Sequence, residues 1–119
     1  MAEKVKRTVI ISVGSLRDAA EGLVAAFEGK SQEPRITFVS LDLMWRVLTP
    51  RRQELLQAMA GHDAMSIRAV ARLVDRDVKA VHGDVRTLLS AGVLQSRNGE
   101  GVIFPYDGLH VDYQLQAVA

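Results

Sequence analysis

The stretch Ser66-Ile67-Arg68-Ala69-Val70-Ala71-Arg72-Leu73-Val74-Asp75-Arg76-Asp77-Val78-Lys79-Ala80-Val81-His82-Gly83-Asp84-Val85-Arg86-Thr87-Leu88-Leu89-Ser90-Ala91-Gly92 decides the fold. Ser66 and Asp77 are N-cap residues, each followed by apolar positions at helical spacing. Ile67, Val70, Ala71 and Val74 mark one side of a short helix. Val78, Val81, Val85, Leu88 and Leu89 mark one side of a longer one, over Asp77 to Ala91. The link Asp75-Arg76 is tight and polar, and Gly92 stands where a left-handed C-cap ends a helix.

Upstream, Thr49-Pro50 is an N-cap with proline at the first helical position, where the missing N–H costs nothing. The helix it opens buries Leu55, Leu56 and Met59 and closes at Gly61. Downstream, Val93-Leu94 begin an extended run, and two β-prone runs flank Asn98-Gly99, which predicts a hairpin over Gln95 to Phe104. Three short helices followed by a hairpin match the layout of a winged helix-turn-helix, in which one helix enters the major groove and the hairpin reaches the flanking backbone. A small α+β core with no nucleic-acid role has the same elements, because fold alone does not decide function.

The outer segments complete an α+β reading. Thr8 to Val13 is rich in β-branched residues and reads as a strand. A helix begins at Leu16 with Ser15 as N-cap and ends at Gly29. The run from Gly29 to Pro34 has turn composition, Arg35 to Ser40 is extended, and Ser40 caps a brief helix carrying Leu41, Met44, Trp45 and Leu48. The tail Leu109 to Leu115 alternates apolar and polar residues, which suits a strand with one buried face. The expected organisation is a β-α-β-α extension over 1–48 for dimerisation or partner binding, a winged helix-turn-helix over 49–105, and a strand and tail over 106–119. A unit of about 48 residues is marginal as an independent core, so the extension must pack on the rest of the chain or on a partner.

On a helical wheel the outward face of the Asp77 to Ala91 helix is centred on Gly83 and Thr87, flanked by Lys79 and Ala80, with Arg86 at its edge. A glycine inside a helix costs about 0.5–1 kcal/mol relative to alanine, and nothing in the core requires one on an outward face. Close approach of a base-pair edge or another backbone explains it, as does drift at a tolerant surface site; contact is the reading adopted. Lys79 and Arg86 suit base edges or phosphates. Arg68, Arg72 and Arg76 are placed for phosphates, Ser66 lies at the first turn beside them, and Arg97 is the candidate on the hairpin. The expected DNA-contacting set is therefore Ser66, Arg68, Arg72, Arg76, Lys79, Ala80, Gly83, Arg86, Thr87 and Arg97. Asp84 needs a nearby arginine, and His82, on the boundary between faces, reads as a half-buried packing residue.

Charge and composition limit the alternatives. The 119 residues carry 15 Lys and Arg against 14 Asp and Glu, so any affinity for a polyanion must come from local placement. Residues 49–105 hold eight basic and six acidic residues, which leaves only a small local excess. The absence of cysteine excludes disulfides and thiolate chemistry and fits a reducing compartment. No apolar run approaches the ~18 residues that span a bilayer, and Val9 to Val13 is too short for a secretory signal, so a cytoplasmic protein with no membrane partner is expected. His62, His82 and His110 have no metal-ligand spacing, and Val13-Gly14-Ser15 lacks the glycine-rich pattern of a nucleotide-binding turn. Neither catalysis nor a cofactor is expected.

The runs Leu48 to Leu56, Ser66 to Ala71, Arg76 to Val85, Gly92-Val93-Leu94 and Ile103 to Asp107 together resemble the small prokaryotic DNA-binding proteins of the TumA type. These are antitoxins with a MarR-like winged helix, commonly encoded beside a TumE-type toxin, and the resemblance covers nearly the whole chain. It implies operator binding, repression of the protein's own toxin-antitoxin operon, and a toxin as protein partner. A half-site contacted by one small module gives modest affinity, so a homodimer that doubles the contacts on a palindrome is expected. The competing expectation is a protein-interaction module that neutralises a toxin or docks a partner with little direct DNA binding.

Overall fold

A computed structural model describes residues 7–15, 17, 20–21, 24 and 34–114. Strand β1, Thr8–Val13, is central in a three-stranded sheet. Residues 17, 20, 21 and 24 are helical, as the periodicity from Leu16 predicts, while the expected stop at Gly29 and the tail residue Leu115 lie outside the described residues. Strand β2, Arg35–Phe38, runs parallel to β1 and pairs Ile11 with Ile36 and Val13 with Phe38.

On the other side of β1 lies the strand read from the tail. It spans Gly108–Asp112, is parallel to β1, and pairs Val9 with Leu109 and Ile11 with Val111. The last strand among the described residues, β5, therefore lies in one sheet with the N-terminal strands. Side chains alternate across a strand, so Val9, Ile11, Val13, Ile36, Phe38, Leu109 and Val111 share an apolar face and belong to the hydrophobic core or pack against it. The opposite face is polar apart from Ile10, with Thr8, Ser12, Arg35, Thr37, His110 and Asp112 around it. There Ser12 is buried, and its hydroxyl accepts a hydrogen bond from Arg35 Nη1 at 3.0 Å.

Four capped helices follow β2 among the described residues. Helix α1, Leu41–Val47, starts at Ser40, whose Oγ accepts from Leu43 N at 3.1 Å. It buries Met44, Val47 and Leu48 rather than Trp45, which is 39% exposed. The spacing of those three residues is itself helical, and Trp45 instead meets Tyr113 edge-on at 5.7 Å beyond the end of β5. Helix α2, Pro50–Met59, is capped by Thr49 and buries Leu55, Leu56 and Met59; Gly61 follows with φ +78°.

Helix α3, Ile67–Val74, is capped by Ser66 and buries Val70 and Ala71, and Asp75 ends it in the left-handed region at φ +52°. Helix α4, Val78–Ser90, is capped by Asp77, whose carboxylate accepts from Lys79 N at 3.0 Å and Ala80 N at 3.4 Å. It buries Val81, Val85 and Leu88, and Gly92 ends the segment with φ +79°.

Two residues of α4 are more exposed than their spacing predicts. Val78 is 44% exposed, because the first helical turn borders an open depression between α3 and α4 instead of lying beneath α3. His82 is exposed rather than half-buried, because it lies one turn beyond Val78 on the same exposed side of the helix.

The hairpin forms as read. Strands β3, Gln95–Arg97, and β4, Gly101–Ile103, are antiparallel. The far edge of β4 also pairs with the residue before the α3 cap: Met65 N donates to Val102 O at 2.9 Å and Val102 N to Met65 O at 2.8 Å. This brings the chain so close that a Cβ on Gly101 would collide with the Met65 carbonyl, and the φ of +106° there is a conformation for glycine. One core cluster contains Val9 and Ile11 of β1, Met44 of α1, Leu55 of α2, Val70 of α3, Val85 of α4 and Phe104 after the hairpin. The N-terminal extension thus packs on the rest of the chain.

Candidate nucleic-acid interface

The first three turns of α4 present Lys79, Ala80, Gly83 and Arg86 to solvent. A Cβ placed on Gly83 would meet nothing within 4 Å, so no described neighbour either covers that point or requires a glycine. Thr87 is half-buried, and its hydroxyl donates to the Gly83 carbonyl at 3.2 Å. From Arg86 and Thr87 onward the same face borders a groove of about 540 Å³, walled on its other side by Ile36, Phe38, Val39, Leu43 and Val47. The face is therefore open around Gly83 and bounded from Arg86 onward.

Arg68 and Arg72 are exposed on α3 and line a depression of about 460 Å³ together with Asp75, Arg76 and Val78. Ser66 is exposed, with its Oγ engaged by Ala69 N at 3.1 Å. Arg97 is exposed at the end of β3. Around the open face, Arg68, Arg72, Lys79 and Arg86 stand against Asp75 and Asp77, and the Asp77 carboxylate is held by backbone N–H groups. The local surface carries a modest positive excess made of small and basic residues.

Arg76 departs from this pattern. Its Nη2 lies 2.9 Å from Asp84 Oδ2, and only 17% of its side chain is exposed. A guanidinium paired inside the fold cannot also present its charge to a backbone phosphate, so Arg76 belongs to the scaffold rather than to the outward set.

The same aspartate receives Arg52 Nε on its other oxygen at 3.0 Å. Arg52 Nη1 also donates to Arg46 O at 3.0 Å and Val47 O at 3.2 Å, the carbonyls at the end of α1. Asp84 thus finds its expected arginine twice over, and Arg52 is the residue that sequence reasoning missed. The Arg52 and Asp84 side chains are 19% and 14% exposed, which reduces solvent screening and strengthens the coupling. The network fixes α4 against α2, the end of α1 and the α3–α4 turn.

Among the described residues no group of His, Asp and Glu side chains could hold a metal ion, and no helix is long and apolar enough to cross a membrane. No curated protein and no solved structure matches the chain. The model of the HVO_A0114 family matches residues 47–111, from the end of α1 to within β5, and this is more than half of the 119 residues. By that match, the chain belongs to the HVO_A0114 family.

Proposed function

We propose that this protein is a winged helix-turn-helix transcriptional regulator that binds duplex DNA through α4, with α3 on the phosphates and the β3–β4 hairpin as the wing. The observation that carries this reading is the uncovered surface around Gly83, where a helix backbone without a side chain sits between Lys79, Ala80 and Arg86. An α-helix fits the major groove of B-DNA, and a glycine on the leading face lets its backbone approach base edges. The pairing of Met65 with β4 supports the same layout, because it ties the wing to the start of α3.

The proposed contacts divide by chemistry. Arg86 and Lys79 serve base edges or nearby phosphates, while Arg68, Arg72 and Arg97 serve phosphates and set the register. Val78, exposed beside Lys79, supplies an apolar group for a thymine methyl. Ala80 and Gly83 provide room, and Thr87 holds its hydroxyl at the helix backbone. A homodimer places two such helices on a palindrome and doubles the contacts.

Resemblance to TumA-type antitoxins extends the proposal to autorepression of a toxin-antitoxin operon with a TumE-type toxin as partner. A second reading, a module that docks a toxin with little DNA binding, is favoured by the formal net charge of +1. A pull-down with the adjacent gene product, set beside a mobility shift on the upstream promoter, separates the two.

The direct test is binding to a duplex from the protein's own upstream region across a salt series. Arg86→Ala and Lys79→Ala are each expected to weaken binding and to flatten the salt dependence by about one unit of slope per lost phosphate contact. Unchanged affinity and slope in both variants would remove α4 from the interface.

A further inference from the structure

Both outer strands of the parallel sheet, ordered β2-β1-β5, leave one row of backbone groups without a sheet neighbour among the described residues. Proteins blunt such edges with proline, lysine, bulges or cover. β2 has four residues, follows Pro34, and borders the groove shared with α4. β5 borders a groove toward α2 only at Gly108 and Leu109; beyond them Gly108–Asp112 contains no proline or lysine and keeps an unbroken register with β1 over five consecutive pairs.

We propose that the outer edge of β5 pairs with β5 of a second copy of this chain, antiparallel and centred on Val111, to make one six-stranded sheet across a twofold axis. A twofold edge contact is self-complementary, so each residue on one side must suit its symmetry mate on the other. Opposed residues must also share a face of the sheet, and this restricts the register to steps of two. Centring on His110 sets it against His110 of the second copy, and centring on Asp112 opposes two carboxylates. Centring on Val111 places His110 opposite Asp112 twice.

In that arrangement an imidazole N–H reaches a carboxylate in both symmetric pairs, on the polar face where both residues are exposed. The apolar face is served as well. Val111 meets its own mate, and half-buried Leu109 meets Tyr113, which is 39% exposed and already backed by Trp45. Charge and hydrophobic matching thus select the same register.

This inference deepens the homodimer of the proposed function, yet it is read without DNA, so the two can fail separately. Sedimentation of the full chain at micromolar concentration is expected to show a dimer. His110→Asp sets Asp against Asp in both pairs and is expected to weaken association by about tenfold or more. Asp112→Lys supplies the complement, so mixing the two variants restores a dimer at concentrations where His110→Asp alone is a monomer. Both positions are exposed, and an unchanged melting transition in each variant confirms that folding is intact. A monomeric wild type overturns the proposal, as does a dimer indifferent to His110→Asp or a mixture that fails to re-associate.

Discussion

Asp84 shows how a single residue can set the position of a surface it does not belong to. Its carboxylate is shared by Arg52 and Arg76, and those contacts hold α4 in place while leaving Lys79, Gly83 and Arg86 outward. Removing one partner of a buried ion network leaves uncompensated charge, at a cost of about 3–5 kcal/mol. Asp84→Ala is therefore expected to lower the urea unfolding free energy by roughly that amount, since Arg52 and Arg76 would face each other without a counter-ion. A change below about 0.5 kcal/mol, the range of ordinary surface substitutions, would show the network to be incidental. The need for an arginine near Asp84 was legible in the sequence, but its identity was not. Arg52 lies 32 residues away, and nothing local encodes a contact that only the packing of α2 on α4 creates. The N-caps Ser40, Thr49, Ser66 and Asp77 were legible for the opposite reason, since a cap and the N–H groups it satisfies lie within three residues.

At the scale of elements, the hairpin depends on Gly101 as much as on the Asn98-Gly99 turn that announces it. The turn explains how the chain reverses; Gly101 explains how β4 can lie against Met65 and Ser66. Gly101→Ala is expected to destabilise the fold by about 1–3 kcal/mol, through backbone strain and displacement of the strand from the start of α3. A lower denaturant midpoint checks this, and a midpoint unchanged from wild type would mean that β4 and Met65 separate freely. Sequence periodicity found every element from α1 to β5 but misjudged faces where packing is asymmetric. Trp45 and Val78 are apolar and correctly spaced for burial, yet they lie where no described element buries them, beside Tyr113 and over the α3–α4 depression.

For the whole molecule, the governing feature is that both ends of the chain build one sheet. The alternation over Leu109 to Leu115 identified a strand, but alternation carries no information about which strand it joins or in which direction. Pairing with β1 fixes β5 beside the N-terminal extension and places Val9 and Ile11 in the core that also receives α4. The proposed DNA-contact set was legible only as an outward face. Its separation into an open part around Gly83, a part bounded from Arg86 onward and an inward Arg76 required the tertiary arrangement.

Amide proton–nitrogen spectra of the labelled protein, titrated with its upstream duplex, test this arrangement most directly. The largest shifts are expected on 78–87, with smaller ones in 67–72 and around Arg97. Shifts confined to 8–13, 35–38 and 108–112, with 78–87 unmoved at saturation, would contradict it.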